Sequence, residues 1–79
     1  MKKAELGQVL ANIPGMVSDI TFGLMGETGK NPRFPSVLKR VKEELMYDGI
    51  DWKKLSESDK YEIEEMARDV FDGIKNAGF

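Results

Sequence analysis

The run Ile63-Glu64-Glu65-Met66-Ala67-Arg68-Asp69-Val70-Phe71-Asp72-Gly73-Ile74 decides the fold class. Its apolar residues Ile63, Met66, Ala67, Val70, Phe71 and Ile74 recur at i, i+3, i+4, i+7, i+8 and i+11, which puts them on one face of a helix. Just upstream, Ser56 followed by Asp59 forms a variant capping box, and the carboxylates of Glu57 and Asp59 suit the positive end of a helix dipole. The helix should therefore start near Ser56 or Ser58. It should run to about Asn76, with Gly78 as the stop that lets Phe79 touch Ile74.

Working outward, a second helix is predicted from Pro35 or Ser36, since proline fits a first turn and serine a cap. It buries Leu38, Val41 and Leu45 with Phe34 or Val37. Gly49 supplies the left-handed residue that closes it, and Ile50 can then pack back on Leu45. Asp51 is placed to cap a single turn that carries Trp52 and Leu55 towards the core. At the N-terminal end Leu6, Val9, Leu10 and Ile13 form a short amphipathic stripe that Pro14 and Gly15 should close. Residues 16–25 fit either periodicity; helix is preferred, because a lone strand has nothing to pair with. Gly23, Gly26, Gly29, Asn31, Pro32 and Pro35 then mark a flexible loop over about 23–35. The expected fold is all-α: a small bundle of three main helices plus a short N-terminal helix, one domain over 1–79, centred on Trp52, Phe71, Leu45 and Val70.

Composition narrows the chemistry. With 79 residues, no cysteine and no histidine, thiolate and imidazole metal sites, Ser-His and Cys-His nucleophiles and disulfide frameworks are all ruled out. The adjacent pairs Glu43-Glu44 and Glu64-Glu65 point about 100° apart on a helix and cannot share a proton or metal. Asp48, Gly49 and Asp51 lack the spacing of a calcium loop. Gly26-Glu27-Thr28-Gly29-Lys30 lacks the first glycine and the Ser or Thr of a phosphate-binding loop, having Leu24 and Asn31 there. Ser36 at a helix start is similar in layout to the acyl carrier proteins, but Pro35 stands where carriers have aspartate and Lys39, Arg40 and Lys42 where they are acidic. No enzyme activity, cofactor or metal is expected. Glu5, Gln8 and Asn12 interrupt any signal-peptide core, and no segment is read as approaching the ~20 apolar residues of a membrane span. The expectation is a cytoplasmic protein, in the host cytoplasm if phage-encoded.

What stands out is the charge distribution. From Thr28 to Lys42 there are five bases, Lys30, Arg33, Lys39, Arg40 and Lys42, and no acid. From Glu43 to Asp72 there are eleven acids against four bases, a net of −7. The second helix carries its bases first and its acids last, against the dipole, which Lys39–Glu43 and Arg40–Glu44 pairs at i, i+4 could offset. The last helix sets Glu62, Glu65, Asp69 and Asp72 along the line opposite its apolar face, with Lys60-Glu64-Arg68 pairing alongside. These features suggest a small non-enzymatic protein-interaction module, an accessory, regulatory or inhibitor factor acting on a larger complex. The acidic line and the five bases are its candidate partner-binding residues. Nucleic-acid binding by the basic segment 30–42 is the first alternative. Inhibition of a host defence complex, a role such compact chains fill in bacteriophages, is the second.

Overall fold

Three α-helices and one 3-10 turn take up most of residues 2–78, which are the residues the computed structural model describes. They are α1 (Lys3–Thr28), α2 (Phe34–Tyr47), the 3-10 turn (Trp52–Lys54) and α3 (Glu57–Gly78). No strand occurs among the described residues, so the protein is all-α.

Helix α1 departs most from expectation. It does not stop at Pro14 and Gly15 but runs on for 26 residues, joining the short N-terminal helix and the ambiguous segment into one rod. A proline inside a helix removes one hydrogen bond and crowds the carbonyl four residues back, at a cost of about 3 kcal/mol. Against that stands the stripe Val9, Ile13, Val17 and Thr21, spaced by four and buried on both sides of the proline. Turning the chain at Gly15 would unseat Val17 and the half-buried Ile20 and Leu24, and each buried aliphatic side chain contributes roughly 1.5–3 kcal/mol. Pro14 itself lies on the exposed side, next to water rather than next to the core.

The loop is correspondingly short. Gly23 and Gly26 are helical, and α1 ends where Gly29 takes the left-handed conformation (φ 68°) and its N–H donates to the Met25 carbonyl at 2.8 Å. The Thr28 hydroxyl donates to the Leu24 carbonyl at 2.8 Å, satisfying a second terminal carbonyl. Helix α2 starts at Phe34 with Arg33 as its N-cap, so Ser36 lies inside the first turn and is not the cap. Its far end matches the expected closure. Gly49 has φ 85°, its N–H donates to the Met46 carbonyl at 3.0 Å, and the Ile50 N–H donates to the Leu45 carbonyl at 2.9 Å. The Asp51 carboxylate accepts from the Lys53 N–H at 3.1 Å and so caps the 3-10 turn. The Ser56 hydroxyl accepts from the Asp59 N–H at 3.1 Å at the start of α3. The contact expected between Phe79 and Ile74 lies outside the described residues.

Each helix gives the core a row spaced by four: Val9, Ile13 and Val17 from α1, Val37, Val41 and Leu45 from α2, Ile63, Ala67 and Phe71 from α3. Rows of this spacing are the ridges with which helices interlock, and α1 makes its most extensive contact with α3. Trp52 and Val70, expected in the centre, and Leu38, expected to be buried along α2, are only half-buried, because the 3-10 turn and the edges of the two helices carry them to the rim of the core. Phe34 and Phe71 pack as tilted rings 5.7 Å apart. Thr21 is fully buried, and its hydroxyl has no hydrogen-bond partner among the described residues.

One consequence of the unbroken α1 overturns a second expectation. The helix is long and apolar enough, by length and composition, to cross a membrane. Its apolar character is not confined to the face seated against α2 and α3: only Val9, Ile13, Val17 and Thr21 are buried, and Phe22 is 56% exposed.

Candidate interaction surfaces

Because Ile63, Ala67 and Phe71 bind α3 to the core, the opposite side of that helix is fixed in space and turned outward. Glu62, Glu65, Asp69 and Asp72 all stand exposed there. None of the four makes an ion pair with a described residue. They succeed one another at i+3, i+4 and i+3, so they form a line of about 15 Å at 1.5 Å rise per residue. Neighbouring like charges at this spacing repel by about 0.2–0.5 kcal/mol per pair. The Lys60-Glu64-Arg68 ladder that would have run beside them is not formed. Lys60 instead pairs with Glu57 at 3.3 Å, and the Arg68 guanidinium lies 4.5 Å over the ring of Phe34. The delocalised cation of an arginine stacks well on an aromatic face, and here that face is within reach.

The five bases of 28–42 do not form one surface. Lys30 is exposed in the turn after α1, its backbone N–H donating to the Thr28 hydroxyl at 3.2 Å. Arg33 faces a cleft it shares with Arg68, Lys75 and Asp72. Arg40 reaches the other way, to Glu27 on α1 at 3.2 Å, in a cleft also lined by Asp19 and Glu44. Lys39 and Lys42 lie on a third side, with the Lys42 ammonium 4.8 Å from the centre of the Trp52 ring. The expected Lys39–Glu43 and Arg40–Glu44 pairs are absent, because Arg40 has a partner across the helix interface and Lys39 makes no ion pair with a described residue.

Sequence reasoning missed one surface. Met46 and Tyr47 are 55% and 86% exposed at the end of α2, beside Trp52. The signal was present: both are apolar yet fall off the Val37, Val41, Leu45 line, so no helical face accounts for them.

Chemically these surfaces can offer charge and apolar contact. Among the described residues no group of three or more His, Cys, Asp or Glu side chains is gathered closely enough to hold a metal ion. No family model, curated protein or solved structure matches the chain.

Proposed function

We propose that this chain is a small non-enzymatic protein-interaction module, an accessory or regulatory factor that engages a larger complex through its charged surfaces. In this reading the helices form a small bundle whose task is to hold α3 rigid. The observation that carries it is the line Glu62, Glu65, Asp69 and Asp72, exposed, without ion pairs to described residues, and opposed to a face wholly committed to the core. Asp72 lines a cleft with Arg33, Arg68 and Lys75, whereas the mutually repelling Glu62, Glu65 and Asp69 do nothing for the helix that bears them and suit a basic groove on a partner. Inhibition of a defence complex is one form such an activity takes.

Nucleic-acid binding has less support. The five bases point to different sides of the molecule, and from Glu57 to Asp72 α3 carries seven acids against Lys60 and Arg68. Phosphates would be repelled along most of that length. A duplex-DNA titration across salt separates the readings, since binding that weakens steeply as salt rises would favour the nucleic-acid one.

The test of the protein-binding reading uses the variant Glu62→Lys, Glu65→Lys, Asp69→Lys. It should melt like the wild type, because none of the three touches the core. Partners captured from the source cell by the wild type and identified by mass spectrometry should associate with the variant at least about tenfold more slowly at low ionic strength. They should also lose most of their salt dependence. Unchanged association with a folded variant would make the stripe a solvated face and nothing more.

A further inference from the structure

The end of α2 and the 3-10 turn enclose an open groove of about 640 Å3 that includes none of the α3 carboxylates. Met46, Tyr47 and Trp52 give it an apolar floor, and Lys39, Lys42 and Lys53 stand around it. Two carboxylates share the lining: Asp51, already accepting from the Lys53 N–H at 3.1 Å, and Glu43. None of the three lysines has an ion pair with a described residue.

Folding explains neither half of this arrangement. A tyrosine left 86% exposed beside a half-buried tryptophan contributes little to a core. Lys39 lies in the second turn of α2, and Glu43 one turn along makes no ion pair with it. Tryptophan, tyrosine and methionine are the side chains from which the centres of protein interfaces are built. An occupant that satisfies both halves must bring an apolar anchor for the floor and negative charge for the rim.

We infer that this groove binds an acidic amphipathic peptide segment of a partner protein, with a leucine or aromatic anchor on Trp52 and Tyr47 and flanking Asp or Glu side chains against Lys39, Lys42 and Lys53. The charge distribution favours a peptide over nucleic acid, because Glu43 and Asp51 would oppose a continuous phosphate chain. An amphipathic peptide can place its acids selectively. The inference is independent of the α3 stripe and gives the module a second, oppositely charged docking face.

Trp52 is the single tryptophan of the chain and so reports on its own groove. The experiment selects a display library of random peptides about twelve residues long against the full-length protein. Selected sequences should be rich in Asp and Glu around Leu or Phe. A synthetic tryptophan-free peptide from that pool should shift the Trp52 emission on binding. Affinity should fall about tenfold or more in Lys39→Glu with Lys53→Glu and in Tyr47→Ala. It should be unchanged in Glu62→Lys, Glu65→Lys, Asp69→Lys, which separates failure of this inference from failure of the α3 reading. Tyr47→Ala removes an exposed ring, so its melting curve should match the wild type. Recovery of no peptides, or only of Lys- and Arg-rich ones, would overturn the inference. So would a Trp52 shift produced instead by a thymidine oligonucleotide or by raising the concentration of the protein itself.

Discussion

Helices α1 and α3 pack against each other along the same core, yet they are built by different rules. Helix α3 has a local cause for each of its features: a serine hydroxyl on the Asp59 N–H at its start, acids in its first turn, and one apolar face set against one charged face. Helix α1 has almost none of these. Its N-cap is Lys2 with no side-chain hydrogen bond, it contains Pro14 and four glycines, and its apolar residues spread well beyond the buried row. An added Cβ at Gly7, Gly15, Gly23 or Gly26 would meet nothing within 4 Å, so internal packing does not require those glycines. Each lowers helix stability by about 1 kcal/mol relative to alanine. The contrast teaches that α3 is specified by its own residues, whereas α1 is held helical by what it packs on.

The comparison can be broken most forcefully in the core. Ile13 on α1 and Ile63 on α3 are both fully buried. If α1 is docked as firmly as α3, Ile13→Ala and Ile63→Ala should each cost about 2–5 kcal/mol in denaturant unfolding. A loss at Ile13 well below 1 kcal/mol would mean that α1 is loosely attached. Next in size is Pro14→Ala. In a continuous helix it restores a backbone donor and should stabilise the protein by up to ~3 kcal/mol, with a higher melting temperature. No gain would place a break at Pro14 after all. The smallest effect belongs to Thr21, whose buried hydroxyl lacks a partner among the described residues. Thr21→Val should stabilise by about 1 kcal/mol, or roughly 4–8 °C in Tm for a domain of this size. A loss of stability on that change would show that the hydroxyl is engaged.

The same contrast explains how much was legible from the residues alone. The Ser56 cap, the Gly49 closure with Ile50 behind it and the Asp51 turn are local devices, carried by neighbours in sequence, and each appears where it was expected. The exposed line Glu62, Glu65, Asp69 and Asp72 was legible for a related reason, because helical period alone places it opposite Ile63 and Ala67. Pro14-Gly15 and Gly23-Gly26 misled because their local preference is overridden by the long-range contact of α1 with α3. Side-chain partners were the least legible. Arg40 pairs with Glu27, thirteen residues away, rather than with Glu44 one turn along, and no periodicity contains that choice. Size suggested Trp52 for the centre, whereas a three-residue turn leaves it at the rim, where its exposed neighbours Met46 and Tyr47 make it part of a groove.

The central claim is that the α3 carboxylates serve a partner and not the fold, and it can be tested without knowing the partner. The measurement is the melting temperature of Glu62→Gln, Glu65→Gln, Asp69→Asn, Asp72→Asn beside the wild type, at low and high ionic strength. Removing three like-charge contacts on an exposed helix face should raise the Tm at low salt by a few degrees, at about 0.2–0.5 kcal/mol per contact. The advantage should shrink as salt screens the wild-type charges. A lower melting temperature in the neutral variant would mean that those carboxylates hold the fold together, and would contradict the account.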